Sequence, residues 1–98
     1  MENNNSDKEF SMSTVQQTIY SVLREIQERN GYPLKEINEE VKVVKNLGFS
    51  SLDVAELVAV LEMEFGIDPF SQGVSIMEVH SVGELIAVYQ NALSAEPA

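Results

Sequence analysis

A chain of 98 residues with 44% hydrophobic content is sized for one domain with a single core, and no apolar run approaches the ~20 residues of a membrane span. The formal net charge of -10 argues against nucleic acid and anionic lipid as partners, and the absence of cysteine removes disulfides, thiolate metal sites and any thiol nucleophile of the chain's own. That charge is uneven: all six basic residues precede residue 50, where eight acids accompany them, whereas the rest of the chain holds eight acids and no Lys or Arg. Such a segment attracts basic protein surfaces.

Residues 1–10 are Asn-rich, acidic and without periodicity, wrong for a signal or transit peptide. They are expected to form a disordered leader on a cytoplasmic protein, ahead of a folded domain over residues 11–94 and a frayed tail over 95–98. A first helix follows, with Ser11 or Ser13 as its cap and Ser13-x-x-Gln16 as a capping box. Val15, Ile19, Val22, Leu23 and Ile26 are its buried stripe. Asn30-Gly31 supplies a left-handed C-terminal cap, and Pro33 prevents continuation. From residue 34 to Asn46 the pattern blurs. A connection of that length is expected to lie along the bundle, pinned by Leu34, Ile37, Val43 and Leu47, with a helical stretch at 34–40 as an option.

The densest information lies in Leu47 to Phe65, LGFSSLDVAELVAVLEMEF. Gly48 suits a tight turn with positive φ, and Phe49 either staples inward onto the helix or stands exposed on a partner surface. Ser50 is a good N-cap, with Asp53 in the first turn where a carboxylate complements the positive helix end. Ser51 then occupies the first helical position, its hydroxyl toward solvent beside unpaired N–H groups; periodicity alone leaves it as either a cap residue or a site. At about 100° per residue Val54, Leu57, Val58, Leu61 and Phe65 form the core stripe. Leu52, Ala55, Ala59 and Met63 gather on the opposite face, with Asp53, Glu56 and Glu62 between them or at its rims. An outward apolar strip fringed by carboxylates suits docking to basic partners.

After Phe65, Gly66 to Gly73 reads as a loop anchored by Ile67 and Phe70. Val74 to Val79 is long enough for a turn or so of helix capped by Ser75. Ser81-x-x-Glu84 is a second capping box, opening a last helix whose apolar set is Val82, Leu85, Ile86, Val88, Tyr89 and Leu93. The fold class expected is all-α, a four-helix bundle of three main helices and a short third one.

The pattern LG-F-S-SLD-x-x-EL-x-x-x-LE-x-x-FGI resembles the signature of acyl carrier proteins, in which a serine in a DSL-type motif carries 4'-phosphopantetheine. Leu47, Gly48, Ser51, Leu52, Asp53, Glu56, Leu57, Leu61, Glu62, Phe65 and Ile67 carry the match, and the resemblance covers roughly residues 12–94. One departure stands out: Ser50 replaces the aspartate usual before the attachment serine. The resemblance implies attachment of the arm to Ser51 by a separate phosphopantetheinyl transferase, and a non-enzymatic, monomeric shuttle of acyl thioesters. Fatty acid, polyketide or lipid synthesis, or decoration of a surface polysaccharide, would be its setting. It implies a docking face of Leu52, Asp53, Glu56, Ala59 and Glu62 for acyl-loading and acyl-using enzymes with basic patches, with neither nucleic acid binding nor membrane insertion. It also implies an acyl pocket among Val58, Leu61, Ile76 and Val79, and a transient magnesium ion at Asp53 during modification.

His80 is the sole histidine and has no nucleophile or ligand cluster beside it in sequence, so it reads as a junction residue. No calcium-loop pattern occurs, and no resident metal is expected. A peptidyl or aminoacyl carrier is the nearer rival; those domains tend to show GG-[DH]-S and a less acidic second helix. A rival of another class is an unmodified acidic helical adaptor that binds basic partners.

Overall fold

The computed structural model describes residues 12–33 and 35–95. Three α-helices carry the fold: α1 (Met12–Arg29), α2 (Ser51–Phe65) and α3 (Val82–Ala95). Two short 3-10 turns, Pro69–Gln72 and Ile76–Glu78, lie between α2 and α3. The expected short third helix is thus a single 3-10 turn, and a second such turn, capped by the Asp68 side chain accepting from the Phe70 amide, occupies the stretch read as loop. The expectations for the leader, for Leu34 and for residues 96–98 fall outside the described residues.

The apolar stripes meet in one core. Val15, Ile19, Leu23 and Ile26 of α1 face Leu57, Leu61 and Phe65 of α2 and Val82, Leu85, Ile86 and Tyr89 of α3, all buried. Phe65 and Tyr89 stack at 5.3 Å, and Phe70 meets the Tyr89 ring edge-on at 6.0 Å, so the loop after α2 is anchored as expected. In α2 the buried line runs 53-57-61-65, which puts Val54 and Val58 at the edge of the core and brings Asp53 inside it. The backbone of α1 takes in Ser13, whose side chain, and with it the Ser13-x-x-Gln16 box, lies outside what is described; the Gln16 side chain donates to the Tyr20 hydroxyl and to Glu39.

α1 ends as its sequence requires. Gly31 has φ 71°, its amide donates to the Glu28 carbonyl, and the Tyr32 amide donates to the Gln27 carbonyl: the paired bonds of a Schellman ending. The following connection is not helical at 35–38. It crosses the bundle pinned by buried Val43 and Leu47, with Ile37 half-buried. Its far end is sewn to the start of α3: Val43 donates to the His80 carbonyl, Val82 to the Val41 carbonyl and Gly83 to the Glu39 carbonyl. Gly83 is needed there, because a Cβ would sit 3.0 Å from the Glu39 carbonyl oxygen.

Candidate functional site

Gly48 turns the chain with φ 78°, and Phe49 packs inward against Tyr32 with ring centres 5.9 Å apart. These two residues deliver the Ser pair to the start of α2. Ser50 caps the helix: its hydroxyl accepts from the Asp53 amide at 3.1 Å, and Asp53 accepts from the Ser50 amide at 2.9 Å, a reciprocal capping box. With the N3 amide so satisfied, the amides of Ser51 and Leu52 remain without intrahelical acceptors at the positive end of the helix. Ser51 is exposed at the first helical position, and its hydroxyl makes no hydrogen bond to any described residue.

Asp53 does not join the outward face. Its carboxylate is buried, and besides the Ser50 amide it accepts from the Tyr32 hydroxyl and from the Asn30 side-chain amide at 2.8 Å. The Tyr32 hydrogen bond, then the Ser50 amide, hold this carboxyl below its ordinary range, and the same contact raises the Tyr32 phenol. Asp53 lies four residues before Leu57, on the buried side of α2, and the Schellman ending of α1 presents two donors to it. Its oxygens are thus committed to capping and to joining the end of α1 to α2, which corrects its expected place on the outward face among the docking residues.

Elsewhere the strip stands where the periodicity predicts. Leu52 is 78% and Met63 83% exposed, Ala55 and Ala59 are exposed between them, and Glu62 is exposed at the rim. Glu56 is half-buried and forms an ion pair with Arg29 of α1, so its charge is partly answered within the chain.

An apolar groove of about 900 Å³ opens beside Ser51, walled by Val54, Ala55 and Val58 of α2, by Phe49 and Val44, and across the gap by Phe70 and Ile76. Of the residues expected to form an acyl pocket, Val58 and Ile76 line it. Leu61 and Val79 do not: Leu61 is sealed in the core on the buried line of α2, and Val79 lines a neighbouring pocket. Phe49 and Val54 were missed as lining residues because their period and position point equally to the core.

A family model described as "Phosphopantetheine attachment site" matches residues 21–88, which include every residue of this site. The acyl carrier protein of Thermotoga maritima is 29% identical over 68 residues, covering 69% of this chain and 82% of that protein. The acyl carrier protein of Rickettsia bellii is 28% identical over 81 residues, covering 82% of this chain and all of that one. Among solved structures, MacpD of Pseudomonas fluorescens, an acyl carrier protein involved in mupirocin biosynthesis, superimposes with a TM-score of 0.73 at 30% identity, over 89% of this chain and 76% of that one. With an all-α scaffold and a matching attachment domain in hand, the chain belongs to the acyl carrier protein family, whose prosthetic group is 4'-phosphopantetheine.

Proposed function

We propose that Ser51 is the attachment residue and that the protein is a non-enzymatic carrier of acyl groups among the cytoplasmic enzymes that load and use them. The observation that carries this reading is an exposed, unbonded Ser51 hydroxyl at the first position of α2, at the mouth of an apolar groove. The two unpaired amides beside it favour a phosphate ester at that point. When attached, the arm supplies the thiol that a cysteine-free chain lacks, and with it the capacity to hold an acyl group as a thioester. Val54, Val58, Phe70 and Ile76 would cover the apolar part of the cargo from water. No histidine lines the groove, so activation of the serine falls to the transferase.

The docking face is Leu52, Ala59 and Glu62, with Met63 extending it and Glu56 contributing a partly compensated charge. A small apolar strip with a charged rim fits encounters that are fast and weak, as a shuttle requires. Gly48-Phe49, where peptidyl carriers tend to show a Gly-Gly pair, and the acid-only second half favour an acyl over a peptidyl carrier, as do the relatives' own descriptions.

Incubation with a promiscuous phosphopantetheinyl transferase and coenzyme A, followed by intact mass, tests the assignment. One added group is expected on the wild type and on Ser50→Ala, and none on Ser51→Ala. Addition that persists in a folded Ser51→Ala protein overturns it. The mass of the acyl species on protein from its own cells assigns the pathway among fatty acid, polyketide and lipid synthesis.

A further inference from the structure

Val44 is 61% exposed and lines two cavities: the groove beside Ser51 and an adjoining pocket of about 350 Å³ whose other walls are Lys42, Lys45, Val79 and His80. The sequence separates Lys42 from His80 by nearly forty residues. The backbone brings them together, through the Val43 amide donating to the His80 carbonyl at 3.0 Å and an antiparallel bridge between Lys42 and Ser81. The segment carrying the lysines is itself held, since the Asn46 side chain accepts from the Lys42 amide at 2.7 Å and the Asn46 and Leu47 amides both donate to the Lys42 carbonyl.

The charges in this pocket are not used by the fold. Arg24, Arg29 and Lys35 each have a hydrogen bond or ion pair, whereas the ammonium groups of Lys42 and Lys45 have neither among the described residues. Glu84 acts through space on Lys42 and His80, but its carboxylate already accepts from the backbone amides of His80 and Ser81. One carboxylate spent on a helix cap leaves two lysines over an apolar floor of Val44 and Val79, in a protein whose net charge is -10. Lysines unpaired beside an apolar floor suit a chain of methylenes that ends in a negative group.

We propose that this pocket receives a carboxylate at the far end of the cargo, so that the carrier takes acyl chains with an anionic terminus, laid through the groove past Val44. The inference rests on Ser51 as the attachment point. The phosphate of the arm is a second source of negative charge, but it is tied to that serine and is the same whatever the cargo, so a comparison of two cargoes separates them.

Wild-type protein is loaded by a promiscuous transferase from glutaryl or pentanoyl coenzyme A, with intact mass to verify loading, and the amide NMR shifts of the two products are compared. Glutaryl is expected to shift the amides of Lys42 to Lys45 and of His80 relative to pentanoyl. K42Q/K45Q is expected to abolish that difference while the shifts that both acyl groups cause at Val54 and Val58 remain. Equal shifts from the two cargoes, or a difference that survives K42Q/K45Q, overturn the proposal and leave the carrier function standing. Failure to load at Ser51 overturns the attachment assignment and this inference with it.

Discussion

The Tyr32 hydroxyl, just beyond the end of α1, donates to the Asp53 carboxylate in the first turn of α2, so one hydrogen bond joins two helices behind the serine they present. Removing that donor leaves a buried carboxylate with the Asn30 and Ser50 donors only. Tyr32→Phe is expected to lower the thermal midpoint by roughly 4–8 °C, the scale for losing one net hydrogen bond in a small domain. Hydrogen exchange at Ser50 to Asp53 should quicken in the same variant. An unchanged midpoint would mean that solvent replaces the phenol without loss.

The same contact makes stability depend on pH at both ends. The folded-state pKa of Asp53 is depressed, and so is that of Glu84, chiefly through the Ser81 amide and then that of His80. Their stabilisation is therefore fully present above the ordinary carboxylate range of about 4 and is lost as pH falls through the lower folded values. The Tyr32 phenol is raised, so its contribution is present below about pH 10 and lost as pH rises above that. Urea midpoints measured across pH should fall on the acid side, and Asp53→Asn should flatten that limb.

Gly83 sets helix propensity against close approach. In an open helix Gly→Ala stabilises by about 1 kcal/mol. Here the new Cβ would meet the Glu39 carbonyl oxygen at 3.0 Å and its Cβ at 3.2 Å, and would press on the Gly83 to Glu39 hydrogen bond. Gly83→Ala is expected to destabilise by about 1–3 kcal/mol, as overpacking against backbone does. Denaturant titration gives the sign directly.

Charge reversal on the proposed docking face has different meanings at its two acids. Glu56→Lys would break the ion pair with Arg29 and set two cations side by side, mixing folding with docking. Glu62 is exposed and has no ion-pair partner among the described residues, which makes it the cleaner probe. Glu62→Lys is expected to slow loading by partner enzymes about threefold to tenfold at low salt, an effect that shrinks as ionic strength rises. Partner rates indifferent to both the substitution and salt would remove the electrostatic account of docking.

Leu61 and Val58 separate core from groove. Leu61 is fully buried, and Leu61→Ala should cost about 2–5 kcal/mol in stability. Val58, half-buried on the groove wall, should cost less when cut to alanine and should instead expose a bound acyl chain, read as faster hydrolysis of the loaded thioester.

Much of this molecule is a local matter, and local matters are legible in a string of residues. The two capping boxes at Ser50 and Ser81, the positive φ at Gly31 and Gly48, the apolar stripes of three helices and the outward strip from Leu52 to Met63 each follow from spacings of a few positions. So does the motif around Ser51, which carries the family. What the tertiary structure alone decided is everything that joins residues distant in the chain. Asp53 has the spacing of a surface acid as much as of a buried one, and only the arrival of Asn30 and Tyr32 from the turn that ends α1 pairs it inward. Gly83 looks like a tolerated glycine until Glu39 is laid against it, and Lys42, Lys45 and His80 share a pocket only because the long connection pairs with the start of α3. Helical periodicity records which side of a helix is apolar; it holds no information on which backbone, hydroxyl or ammonium the fold will bring to that side.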